Sequence, residues 1–187
     1  MIERSLFEGE LVRLKAINPE TDADAIARWT QDSEYARFLD SNIARPLRSK
    51  SLKEEFEKES IKNDQYDFSI HISGDDRLIG FIGLGGISWV HGVAWVGIGI
   101  GEKDCWGKGY GTDAMQVVLR FAFEELNLHR VSLNVFEYNP RAVRSYEKAG
   151  FVHEGRLQRS LNRNGKRWDI IFMGILRDEW LSRQSGN

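Results

Sequence analysis

Cysteine occurs once in this chain of 187 residues, at Cys105, so no internal disulfide can form and no cysteine-based metal site can be built from this chain alone. That scarcity favours a reducing, cytoplasmic setting. Charge excess is missing too: 26 Lys and Arg face 28 Asp and Glu, a formal net charge of -2, which gives no bulk basis for a nucleic-acid partner. The four histidines, His71, His91, His129 and His153, lack ligand spacing, so no metal is expected. No G-x-S-x-G occurs, which leaves a serine hydrolase unsupported. The first residues, MIERSLFEGE, carry acids and no apolar run, so export by a signal peptide is not expected. One long uncharged stretch exists, FIGLGGISWVHGVAWVGIGIG (81–101). Its repeated glycines, with Ser88 and His91 inside it, fit two buried strands joined by a turn better than a membrane span.

Repeats, low-complexity tracts and Pro- or Ser-rich linkers are likewise absent, and the chain reads as a single domain over 1–187. GELVRLKAI (9–17) alternates as a half-buried strand. Pro19 opens a helix toward Trp29, a second helical stretch surrounds Tyr35 to Leu39, and a charged third runs from about Ser51 to Lys62. YDFSIHISG, a GDD turn and RLIGFIGLGG then read as a hairpin, with Val93 to Ile100 as the next strand. DAMQVVLRFAFEEL carries a helical apolar stripe. It is followed by a strand, HRVSLNVF, a helix from Pro140, and two strand-like segments, FVHEGRL and WDIIFMGIL, around NRNGK. The order predicts a mixed α/β architecture around one sheet.

Glycine is plentiful, and it concentrates in WGKGYGT (106–112), between a strand and a helix. Such a junction offers unpaired amides and the positive end of a helix dipole together, which suits phosphate. A Walker loop is excluded because Gly109, not Ser or Thr, follows Lys108, and Glu102 stands where its first glycine belongs. The dinucleotide fingerprint fails because Thr112 occupies its third glycine position. Taken alone, the run fits a phosphate cradle and a plain flexible turn equally well.

A second segment, NPRAVRSYEKAGF (139–151), begins with a capping Asn139 and a pre-organised Pro140 and ends at Gly150. Asn139 and Tyr146 lie nearly two turns apart on roughly the same face. An ordinary capped helix with Tyr146 in the core accounts for these features as well. The two segments together, in this order and each at a strand-to-helix junction, resemble the GNAT acetyltransferase superfamily. Its diphosphate loop is usually Gln or Arg, two residues, Gly, one residue, then Gly or Ala. Here Gly109 and Gly111 fill the last two places and Trp106 departs from the first. Within that superfamily the chain is similar to the branch of ribosomal-protein N-terminal and polyamine acetyltransferases. The resemblance spans about residues 9–176.

What the resemblance implies is a mixed, mostly antiparallel sheet of about seven strands flanked by helices, and transfer of the acetyl group of acetyl-CoA to an amine by direct attack on the thioester. The implied cofactor contacts come from Trp106, Gly107, Lys108, Gly109, Gly111 and Thr112 at the diphosphate. Backbone near Ile100 and Gly101 and the side chain of Asn139 would meet the pantetheine arm, and Tyr146 would sit beside the sulfur as general acid. The usual bases are missing: Asn134 stands where some relatives place a strand-five glutamate, and Trp95 where a strand-four acid is common. Asn134 through a water, Glu137, Glu102 and Asp169 remain candidate bases. Expected partners are a peptide or small-molecule amine, a polyamine or an aminoglycoside-like drug, with no nucleic acid and no membrane, and a homodimer stays open. A non-catalytic acyl-CoA sensor and a scaffold with an ornamental glycine turn are the alternatives to an enzyme.

Overall fold

In the computed structural model, which describes residues 5–59 and 63–184, β1 (Val12–Ala16) leads into α1 (Pro19–Trp29), α2 (Ser33–Leu39) and α3 (Ser49–Glu59). A meander follows, β2 (Tyr66–Ile72), β3 (Leu78–Ser88) and β4 (Val93–Ile100). The remainder is α4 (Tyr110–Arg120), extended by a π-helical turn over Phe121–Glu125, then β5 (Arg130–Phe136), α5 (Pro140–Ala149), β6 (Val152–Arg163), β7 (Lys166–Leu176) and α6 (Arg177–Gln184). The uncharged stretch 81–101 therefore lies in β3, a turn and β4. Among the described residues, no helix is long and apolar enough to cross a membrane.

The seven strands form one sheet in the order β1-β2-β3-β4-β5-β7-β6. Every neighbouring pair is antiparallel except β4 with β5. This matches the mixed, mostly antiparallel sheet expected from the sequence. Strand alternation sends alternate side chains to opposite faces. On one face Ile70, Ile82, Leu84, Leu133, Met173 and Ile175 pack with Met115, Leu119 and Phe123 of the α4 region, all nearly or wholly buried. On the other face Phe81 packs with Trp29, Tyr35 and Leu52 from α1, α2 and α3.

The parallel pair sets up the site. It holds register only over Val93↔Arg130, Ala94↔Val131 and Trp95↔Ser132. Beyond that point residues 96–100 of β4 and 133–136 of β5 have no ladder to each other, and the sheet opens as a wedge. Two helices start at this wedge: α4 follows β4 through the glycine run, and α5 follows β5 through Asn139.

Candidate active site

At the start of α4, Gly109 is the N-cap residue with φ +94°, and no side chain caps the helix. The first intrahelical bond runs from the Asp113 amide to the Gly109 carbonyl at 3.0 Å. The amides of Tyr110, Gly111 and Thr112 therefore have no partner within the helix and point out of its end. Gly107 also sits at positive φ, +74°, and a Cβ there would meet nothing within 4 Å. The space outside the loop is open, and the amides around it are the kind that hold an anion. Asp113, buried, fixes the whole turn by accepting the backbone N–H groups of Glu10 (3.1 Å), Leu11 (2.8 Å) and Val12 (3.0 Å). That brings Leu11 against Gly109, 3.2 Å from where a Cβ would stand. Lys108 is exposed beside this turn.

α5 begins as its sequence demands. The Asn139 side chain accepts the Ala142 amide at 3.2 Å, and Gly150 closes the helix at φ +109°. Asn139 is buried; with its carbonyl oxygen spent on the cap, its NH₂ group remains as a donor. Thr112 Oγ1 and Ser145 Oγ lie 2.8 Å apart, so the first turn of α4 and the side of α5 are joined. Tyr146 is partly buried against the core, edge-on to Phe151, and burial pushes its phenol up to about 12.

The end of β4 is already engaged. The Trp106 indole donates to the Ile100 carbonyl at 2.7 Å, and the Gly101 amide goes to the Ile79 carbonyl at 2.8 Å. The Ile100 carbonyl and the Gly101 amide, one backbone group at each position, are thus used within the protein. The Gly101 amide faces β3, so the alternation of a strand turns the backbone of Ile98 toward the wedge. Trp106, which the resemblance places among the diphosphate contacts, offers no donor to the anion site, since its one N–H is committed to the Ile100 carbonyl.

Two residues beyond the last β4–β5 pair stand Gly97 and Asn134. Asn134 is exposed on the face opposite α4. On that same face Gly83, Gly85 and Gly97 form a lane across β3 and β4, and a Cβ at Gly85 or Gly97 would meet nothing within 4 Å. Trp95, 44% exposed, borders the lane and meets Phe172 edge-on at 6.3 Å. Open space at Gly85 and Gly97 thus borders the wedge on the side away from α4, while the Asp67 carboxylate covers Gly83.

The acids near the strand ends are tied up. Arg156 reaches Glu137 at 3.2 Å and Asp169 at 3.0 Å, while Glu137 also accepts the Asp169 amide at 3.1 Å. The Arg159 backbone N–H, and then Arg156, hold the Asp169 carboxyl below the usual carboxylate range. Glu102 accepts from Arg28 at 2.6 Å and from the Trp29 indole at 2.8 Å. Among the described residues, no group of His, Cys, Asp and Glu is arranged to hold a metal ion.

Residues 12–152 match the acetyltransferase (GNAT) domain family. The chain is 31% identical to the SPbeta prophage-derived N-acetyltransferase YokL of Bacillus subtilis, over 93% of this chain and 94% of that protein. It is 32% identical to spermidine N(1)-acetyltransferase of Vibrio cholerae, over 81% of this chain and 91% of the relative. The crystal structure of spermidine N-acetyltransferase from Vibrio cholerae in complex with CoA and spermine superposes with a TM-score of 0.82 at 28% identity, covering 91% of this chain and 98% of that one. An open amide turn and a wedge between two parallel strands, together with these likenesses, lead to one conclusion: the chain belongs to the GNAT acetyltransferase family and is an N-acetyltransferase that uses acetyl-CoA.

Proposed function

We propose that the acceptor is a primary amine of modest pKa, a peptide N-terminus or a small amine, reaching the wedge along the glycine lane. The amides of residues 109–112 would hold the diphosphate of acetyl-CoA, and the backbone of Ile98 and the Asn139 amide would hold its pantetheine arm. Acetyl-CoA supplies the activated acyl group. Tyr146 donates a hydrogen bond, and at the limit a proton, to the departing thiol sulfur, and Asn134 orients a water that takes the proton of the amine. Glu137 serves this site as a strut, bridging Arg156 and the β7 backbone. The single buried Cys105 is in keeping with a reducing cytoplasm.

The observation that carries the choice of acceptor is the engagement of Glu102, Glu137 and Asp169 in other hydrogen bonds. Neutralising an amine at pH 7 costs about 1 kcal/mol for an α-amine of pKa near 8 but about 4 to 5 kcal/mol for one near 10.4. A site whose flanking carboxylates are occupied suits the first. The likeness to a spermidine acetyltransferase favours a second reading, a polyamine acceptor. On the lane, the Asp67 carboxylate lies over Gly83 and accepts from Gln65 at 2.6 Å.

A comparison of kcat/KM for short peptides and for spermidine and spermine, each followed by mass shift and thiol release at pH 7 and pH 9, separates the two. Peptides are expected to lead at pH 7. A polyamine preferred at pH 7 would sink the first reading in favour of the second.

A further inference from the structure

The loop position that usually carries Gln or Arg holds Trp106 here, and its only polar hydrogen is spent on the Ile100 carbonyl. A guanidinium stands against its ring instead. The guanidinium carbon of Arg141, in the first turn of α5, lies 3.8 Å from the centre of the Trp106 ring and 5.4 Å from that of Phe38. Held between these two rings, Arg141 has no hydrogen bond or ion pair among the described residues. The acid whose charge reaches it, Glu34, is bound by Lys103 at 2.7 Å. A guanidinium carries five N–H donors in a planar fork suited to phosphate oxygens, and stacking on an aromatic face leaves all five available. Half-buried without an anion, such a group is a costly thing to keep unless something negative arrives.

Helix geometry aims it. Arg141 lies four residues before Ser145 and therefore on the same side of α5, and Ser145 touches Thr112 in the first turn of α4. The side of α5 that carries Arg141 is thus the side that meets the open amides. We propose that Arg141, stored on Trp106, is a side-chain cation for the cofactor diphosphate beside the exposed Lys108, supplying from α5 the planar donor fork that the first position of the glycine loop lacks. This rests on the reading of the α4 turn as the acetyl-CoA site.

The test is acetyl-CoA affinity by calorimetry for the unsubstituted chain, Arg141→Met, Arg141→Lys and Arg141→Gln, each repeated over a series of salt concentrations. Met keeps the apolar stem on Trp106 and removes the charge. The expected loss is roughly 10- to 100-fold for Met and Gln, with a shallower salt dependence, because a charge contact has gone. Lys, a charge without the fork, should fall between. Should Arg141→Met not fold, Arg141→Gln takes its place in the same comparison. Affinity unchanged in the folded Met or Gln variant overturns the proposal. So does a Lys variant as weak as Met with an unaltered salt slope, since that pattern belongs to packing alone. If the unsubstituted chain itself binds no acetyl-CoA, the site reading falls along with the inference; tight binding that ignores Arg141 removes the inference only.

Discussion

Replacing Tyr146 by Phe removes one oxygen and little else, and the structure sets the size of the effect. Burial raises the phenol to about 12, whereas a thiol has a reference value near 8.5. Full proton transfer to a thiolate is then uphill by about 5 kcal/mol, at roughly 1.4 kcal/mol per pKa unit. In the proposed mechanism the hydroxyl would therefore act in the transition state as a hydrogen-bond donor to a sulfur that is gaining charge, rather than as a full proton donor. A hydrogen bond to a charged group contributes about 1.5 to 3 kcal/mol, which corresponds to a drop of roughly 10- to 150-fold in kcat. Thiol release at saturating acetyl-CoA and amine measures it, and the KM for acetyl-CoA should move by no more than about threefold, because the ring stays.

A second readout comes from alkaline unfolding. A tyrosine whose folded pKa is raised contributes stability that is complete below about pH 10 and is lost as the pH climbs through about 12. Tyr146→Phe should remove its share of that loss, while Tyr35, raised by the same cause, keeps its own. A kcat within twofold of the unsubstituted enzyme would refute the reasoning, whatever happened to stability.

Asp113→Ala leaves three backbone N–H groups without their carboxylate. The expected cost is about 3 to 5 kcal/mol, seen as a fall of roughly 10 °C in the unfolding midpoint; a shift under about 2 °C would show that water replaces the carboxylate freely. Gly109→Val places a β-branched side chain at φ +94° and against Leu11, and should weaken acetyl-CoA binding by at least about tenfold, given the strain of roughly 1 to 2 kcal/mol at such a φ. Calorimetry decides it, and unaltered affinity would mean that the amides of this turn do not hold the diphosphate.

The parts of this molecule written in local chemistry could be read from the chain alone. The Asn139 cap and the Gly150 stop are properties of a few neighbouring residues, and both are present as read. The wedge could not be read, because it depends on where β4 and β5 part, and nothing in either strand announces the last shared register. β6 reads as ending near Leu157 because residues 158–163 carry so little apolar character. As an edge strand exposed along nearly all its length, it continues to Arg163 with a bulge at Arg159. α6 gives no helical signal in the sequence for a related reason: in its eight residues only Trp180 is buried, too few for a stripe. Glu137 and Asp169 read as available bases because Arg156, which holds both, stands on another strand. Trp106 read as an exception to a pattern because its partner belongs to a different helix.

The strand order has a consequence for how the protein is made. β7 is nearly the last element of the chain, yet it lies inside the sheet between β5 and β6. During synthesis β5 must wait with one side bare until Lys166–Leu176 leaves the ribosome, and β6 has no neighbour at all before then. A chain cut short between β6 and β7 would therefore carry an unfilled gap rather than a shortened border, and gaps of that kind invite pairing with other nascent chains.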